Sequence, residues 1–142
     1  MDSGYTNGYI QRTGNGSYEG SVVIDGVTLP EITAVYFKQG EESYLWLRRK
    51  KVLEYDSGSQ SYKERDAEPR WEAYLKKQMD GETVAYKGEF MFLRFRFSIV
   101  GIWDGVLGRD RQRLNLFVER MPMSEQTVIN NNNERKLDGH GR

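Results

Sequence analysis

The sequence predicts a mostly β protein, in which two pseudo-repeated four-stranded antiparallel meanders form one compact domain that ends in a short C-terminal helix. Three observations carry this. Apolar and polar residues alternate with period two from Tyr9 to Arg49 in a stretch rich in Val, Ile, Tyr and Thr. Turn signals recur between the alternating runs at Gly14-Asn15-Gly16, Asp25-Gly26 and Gln39-Gly40. The chain also repeats itself: Tyr9-Ile10, Tyr18-Glu19-Gly20, Ile32 to Tyr36 and Tyr44 to Arg48 are matched in order by Tyr74-Leu75, Tyr86-Lys87-Gly88, Ile99 to Trp103 and Arg113 to Phe117. The offsets are 65, 68, 67 and 69 residues, so strand-like blocks are kept while the turns between them gain or lose a few residues.

Taken in order, the first unit covers 5–55, a linker 56–69, the second unit 70–121, and the helix and tail 122–142. In the fourth strand of the first unit, Leu45 and Leu47 point to one face and Tyr44, Trp46 and Arg48 to the other, because side chains alternate across the pleat. The matching strand of the second unit sets Leu114, Leu116 and Val118 against Arg113, Asn115 and Phe117. Two leucines therefore mark the core face in each unit. Asp56 to Pro69 opens with Asp-Ser-Gly-Ser-Gln-Ser and reads as a loop or hairpin. Arg70 to Gln78 suits helix or strand by composition, and the repeat assigns it to strand. Phe90 to Trp103 reads as one strand bent near Gly101, with Phe95, Phe97 and Ile99 on one face and Arg94, Arg96 and Ser98 on the other. Charges at every second residue would be smeared around a helix. Ser124 is the expected N-cap of the C-terminal helix, which fades into Asn130 to Asn133. Glu134 to Arg142 is expected to fray.

A chain of 142 residues fits one domain with a core of its own. It has no cysteine, so packing and backbone pairing hold it without disulfides or thiolate metal sites. The absence of cysteine, of a basic and apolar leader and of any run near 18 apolar residues leads to the expectation of a cytoplasmic protein that makes no membrane contact. Net charge is zero, yet the halves differ: residues 1–69 hold 8 basic and 11 acidic side chains, or −3, and residues 70–142 hold 13 and 10, or +3. A polyanion would prefer the second half.

The familiar catalytic sets cannot be assembled. There is no thiol nucleophile, and the sole histidine, His140, lies between glycines near the terminus. Asp25 and Asp104 each precede glycine, as turns require. Gly14-Asn15-Gly16 followed by Gly20 lacks the helix that makes a phosphate-cradling loop work, and reads as a hairpin. The expectation is a protein that is not an enzyme and uses no cofactor or metal. The class held open against it is a hydrolase in which carboxylates such as Glu89 and Asp104 converge.

What remains is a basic and aromatic set on the faces opposite the leucines: Tyr44, Trp46 and Arg48 on one strand, Arg94 and Arg96 on another, and Arg109, Arg111, Arg113 and Phe117 around the last hairpin. Rings that stack on bases beside cations that track phosphates are the chemistry of single-stranded nucleic-acid binding. Aromatic and arginine side chains equally anchor protein partners or homodimers, and neighbouring rings and charges also stabilise any half-exposed sheet.

A duplicated four-stranded unit with basic and aromatic residues on its sheet resembles the Pur-repeat and Whirly-like class of single-strand binders over most of residues 5–137. That resemblance implies a helix after each sheet; the second unit offers one after Ser124, whereas the first lacks it and has only the Asp56 to Pro69 segment. The Gly-rich first hairpin, Gly14 to Gly20, and the strand Tyr44 to Arg48 are also similar to small uncharacterised β-rich proteins of bacterial mobile elements.

Overall fold

The computed structural model describes residues 6–104 and 111–123. Eight strands close into an antiparallel barrel: β1 (Gly8–Gly14), β2 (Ser17–Ile24), β3 (Val27–Gln39), β4 (Glu42–Arg49), β7 (Glu72–Asp80), β8 (Thr83–Phe92), β9 (Phe95–Trp103) and β10 (Arg113–Arg120). Two more, β5 (Lys51–Asp56) and β6 (Ser61–Asp66), pair with each other as a separate ribbon. Each run of four consecutive barrel strands is a meander. β4 joins the runs by pairing with β7, Leu45 opposite Leu75, and β10 closes the ring on β1, Leu114 opposite Ile10. Closure leaves no free barrel edge to recruit another chain.

The two expected meanders therefore form one continuous cylinder. The ribbon begins at Lys51, inside the stretch assigned to the first unit, and its second strand lies within the expected linker. From Ser124 onward the expected C-terminal helix and frayed tail lie outside the described residues. Phe90 to Trp103 is corrected from a single strand to a hairpin: Leu93 and Arg94, at φ 49° and 77°, turn the chain between the paired residues Phe92 and Phe95. A two-residue turn with both φ positive has the hand that matches strand twist, but it ordinarily uses Asn and Gly, which this chain lacks there.

Alternation places the inward residues in the core. Leu45, Leu47, Leu114 and Leu116 are at most 1% exposed, together with Ile10, Leu75 and Ile99. Each such side chain contributes roughly 1.5–3 kcal/mol through burial. Aromatic groups fill both ends of the cylinder. Tyr18 and Tyr86 pack on Trp103 with centroids 5.7 and 6.1 Å away, while Trp71 meets Phe90 edge-on at 5.3 Å and Phe90 stacks on Phe97 at 5.5 Å. Gly20 and Gly88 let neighbouring strands close in. A Cβ on Gly20 would collide with the Tyr9 carbonyl oxygen, and one on Gly88 with that of Tyr74.

The up-and-down order sets the β1–β2, β3–β4 and β7–β8 turns at one rim. The ribbon and the Leu93-Arg94 turn lie at the other. Arg49 ties the ribbon's root down, donating from Nε to the Pro30 carbonyl at 3.1 Å and from Nη1 to the Pro69 carbonyl at 3.0 Å.

Candidate nucleic-acid interface

β4 runs between β3 and β7, so its outward side chains meet neighbours from both. Trp46 sits in register with Val35 and Tyr74, Tyr44 with Phe37 and Lys76, and Arg48 with Thr33 and Glu72. Phe37 and Tyr44 stack at 5.3 Å, Phe37 meets Tyr74 edge-on at 6.4 Å, and Trp46 lies parallel to Tyr74 at 5.8 Å. The Trp46 indole donates to Glu72 Oε1 at 2.8 Å, which fixes its ring. Tyr74 is half exposed, and Val35, Phe37, Trp46 and Tyr74 line a shallow groove.

Arg48 continues this row toward the ribbon. Its guanidinium lies 4.8 Å over the Trp46 ring, a cation–π contact. Beyond it opens a cleft of about 470 Å³ between the barrel wall and the ribbon's root, lined by Arg48, Lys51, Asp66, Arg70 and Trp71 among others. Lys51 pairs with Asp66 at 2.6 Å and Arg70 with the same carboxylate at 3.3 Å. The Lys51 hydrogen bond, followed by the charges of Arg70 and Arg48, holds Asp66 below the usual carboxylate range.

The remaining candidates do not join this surface. β10 stands four places from β4 in the ring of eight, on the opposite side of the barrel. There the Arg113 guanidinium lies 3.7 Å over Tyr9 and its Nε donates to Asn115 Oδ1 at 3.2 Å, while Phe117 is half-buried opposite Val100. Arg96 forms an ion pair with Glu89 on the next strand. Arg94 lies in the β8–β9 turn, so its expected place on a sheet face with Arg96 is corrected. Arg111 precedes β10 at φ 54°, and Arg109 lies outside the described residues. Tyr44, Trp46 and Arg48 are thus brought together, whereas the second-half arginines are dispersed and several are engaged at home.

Four residues of the assembled surface were not singled out as binding candidates: Phe37, Tyr74, Arg70 and Trp71. Phe37 carried a readable signal, since it shares Val35's side of an alternating strand. Tyr74 served only as a landmark of the repeat. Its place beside Trp46 depends on β4 pairing with β7 across the ribbon, a long-range register that no local pattern encodes.

Among the described residues no group of three or more acidic or histidine side chains is arranged to hold a metal ion. No helix among them is long and apolar enough to cross a membrane. No protein-family model, curated protein or solved structure matches the chain.

Proposed function

We propose that this barrel is a cytoplasmic binding module that contacts single-stranded nucleic acid through the outer face of β3, β4 and β7. The observation that carries the reading is the row of outward rings, Phe37, Tyr44, Trp46 and Tyr74, running directly into Arg48. Base stacking on such rings contributes about 1–3 kcal/mol per base and tolerates any sequence, because every base has a π-face. The pseudo-duplication belongs to the same proposal. Gly20 meeting Tyr9, and Gly88 meeting Tyr74, supports it, since these are the pairs that the sequence repeat equates. Fluorescence anisotropy with a labelled oligothymidine tests the reading, with binding expected at low salt and weakened by loss of Trp46 or Tyr74.

A second reading, a protein-partner or homodimer module, draws on the ribbon. Leu53, Tyr55 and Tyr62 share one of its faces and are 55–68% exposed. Light scattering distinguishes the two readings: a dimer that is indifferent to salt and oligonucleotide favours the second.

A further inference from the structure

Two side chains that line the cleft at the ribbon's root each carry a donor that the fold leaves without an acceptor. Arg48 Nε and Trp71 Nε1 are both buried, and neither has a hydrogen-bond partner. A buried unsatisfied donor costs about 1–3 kcal/mol, and native folds hold few of them. Here both belong to side chains on the wall of one cavity, and Trp71 is only 6% exposed. Among the described residues the wall carries four cations, Arg48, Arg49, Lys51 and Arg70, against two carboxylates, Asp66 and Glu72. The carboxylates are already engaged, Asp66 by Lys51 and Arg70 and Glu72 by the Trp46 indole. Arg48, by contrast, lies over the Trp46 ring and makes no direct ion pair among the described residues, although its charge is felt at Asp66.

We propose that this cleft seats a phosphate group carried on a nucleotide-sized body. Three features select that chemistry. The two orphaned N–H groups, covered in this structure, gain acceptors from an occupant rich in oxygen once their side chains turn toward it. The excess of two positive charges matches a dianionic monoester. The volume of about 470 Å³ exceeds what a bare oxyanion fills and lies in the range of small-molecule sites. A modest rotation of Arg48 brings its guanidinium fork onto the phosphate, a geometry in which charge-assisted bonds are strong. The phosphate can come from a free nucleotide or from the 5′ end of a strand lying along the aromatic row. Only the second source rests on the function proposed above.

The test follows the Trp71 Nε1–H and Arg48 Nε–H signals in ¹H–¹⁵N spectra of the full chain. The probes are adenosine, adenosine 5′-monophosphate, and oligothymidines with and without a 5′ phosphate. The monophosphate should move both signals and adenosine neither. Arg48→Gln should weaken monophosphate binding by about tenfold or more, as expected for a lost charged hydrogen bond. Trp71→Phe, which keeps a ring against Phe90, should weaken it less; if that variant does not fold, Arg48→Gln on the barrel's outer face carries the test. Oligonucleotide binding with no response at Trp71, and no response of either signal to the monophosphate, overturns the cleft while leaving the aromatic face in place. A response to the monophosphate with no oligonucleotide binding upholds the cleft and removes the strand as its source.

Discussion

The Trp46 and Tyr74 rings lie 3° from parallel with centroids 5.8 Å apart, held across two strands that are 28 residues apart in the chain. Tyr74 is 50% exposed, so the pair covers little core. Tyr74→Ala should therefore change stability by less than about 1 kcal/mol, in keeping with a surface site. It should weaken oligonucleotide binding by about 1–3 kcal/mol, the contribution of one stacked base. Thermal melts and anisotropy titrations on the same preparation check both halves of this expectation.

The β8–β9 turn offers a stabilising change. Leu93 and Arg94 both occupy positive φ without being glycine, at a cost of roughly 1–2 kcal/mol each. Leu93→Asn with Arg94→Gly supplies the residues such a turn prefers. The double variant should raise the urea midpoint. Unchanged oligonucleotide affinity in that variant would place Arg94 outside the interface.

Gly20 and Gly88 should behave alike. Alanine at either position forces a methyl into a neighbouring strand's carbonyl oxygen, with overpacking costs of about 1–3 kcal/mol expected. At Gly14 a Cβ would meet nothing within 4 Å, so Gly14→Ala is the control. Denaturant titrations of the three variants measure the difference. If Gly20→Ala were tolerated and Gly88→Ala not, the two meanders would not be built on the same plan.

Tyr86 should titrate late. Burial inside the barrel, with Tyr36 and Tyr18 adding to it and Arg111 opposing, pushes its phenol up to about 12 from an ordinary value of 10.0. The folded state thus keeps this proton where the unfolded chain loses it. The resulting contribution to stability is complete below pH 10 and is lost as the pH rises toward 12. Ultraviolet titration should show a late tyrosine step that is absent in Tyr86→Phe.

Strand content and the core face were legible because alternation and the Asn-Gly and Asp-Gly turns are local signals, and the leucines at 45, 47, 114 and 116 fall where that alternation places them. The Leu93-Arg94 turn was hidden because its residues are not turn formers, which merged two strands into one and carried Arg94 onto the wrong surface. The candidate interface was legible along β4 alone. Residues on one strand share a face by parity, but which strands flank it, and that β10 lies across the barrel from β4, follow from ring closure. The ribbon's pairing was equally obscure, since its exposed strands alternate no core residues.

The most direct measurement of the proposed function is the salt dependence of oligothymidine binding by the wild-type chain and by Arg48→Gln. If three phosphates are neutralised, wild-type affinity should fall about twentyfold between roughly 50 and 200 mM salt, and the variant's log–log slope should be shallower by about 0.7, the increment for one phosphate of a single strand. No binding at 50 mM salt, or binding whose slope is the same with and without Arg48, would contradict the account.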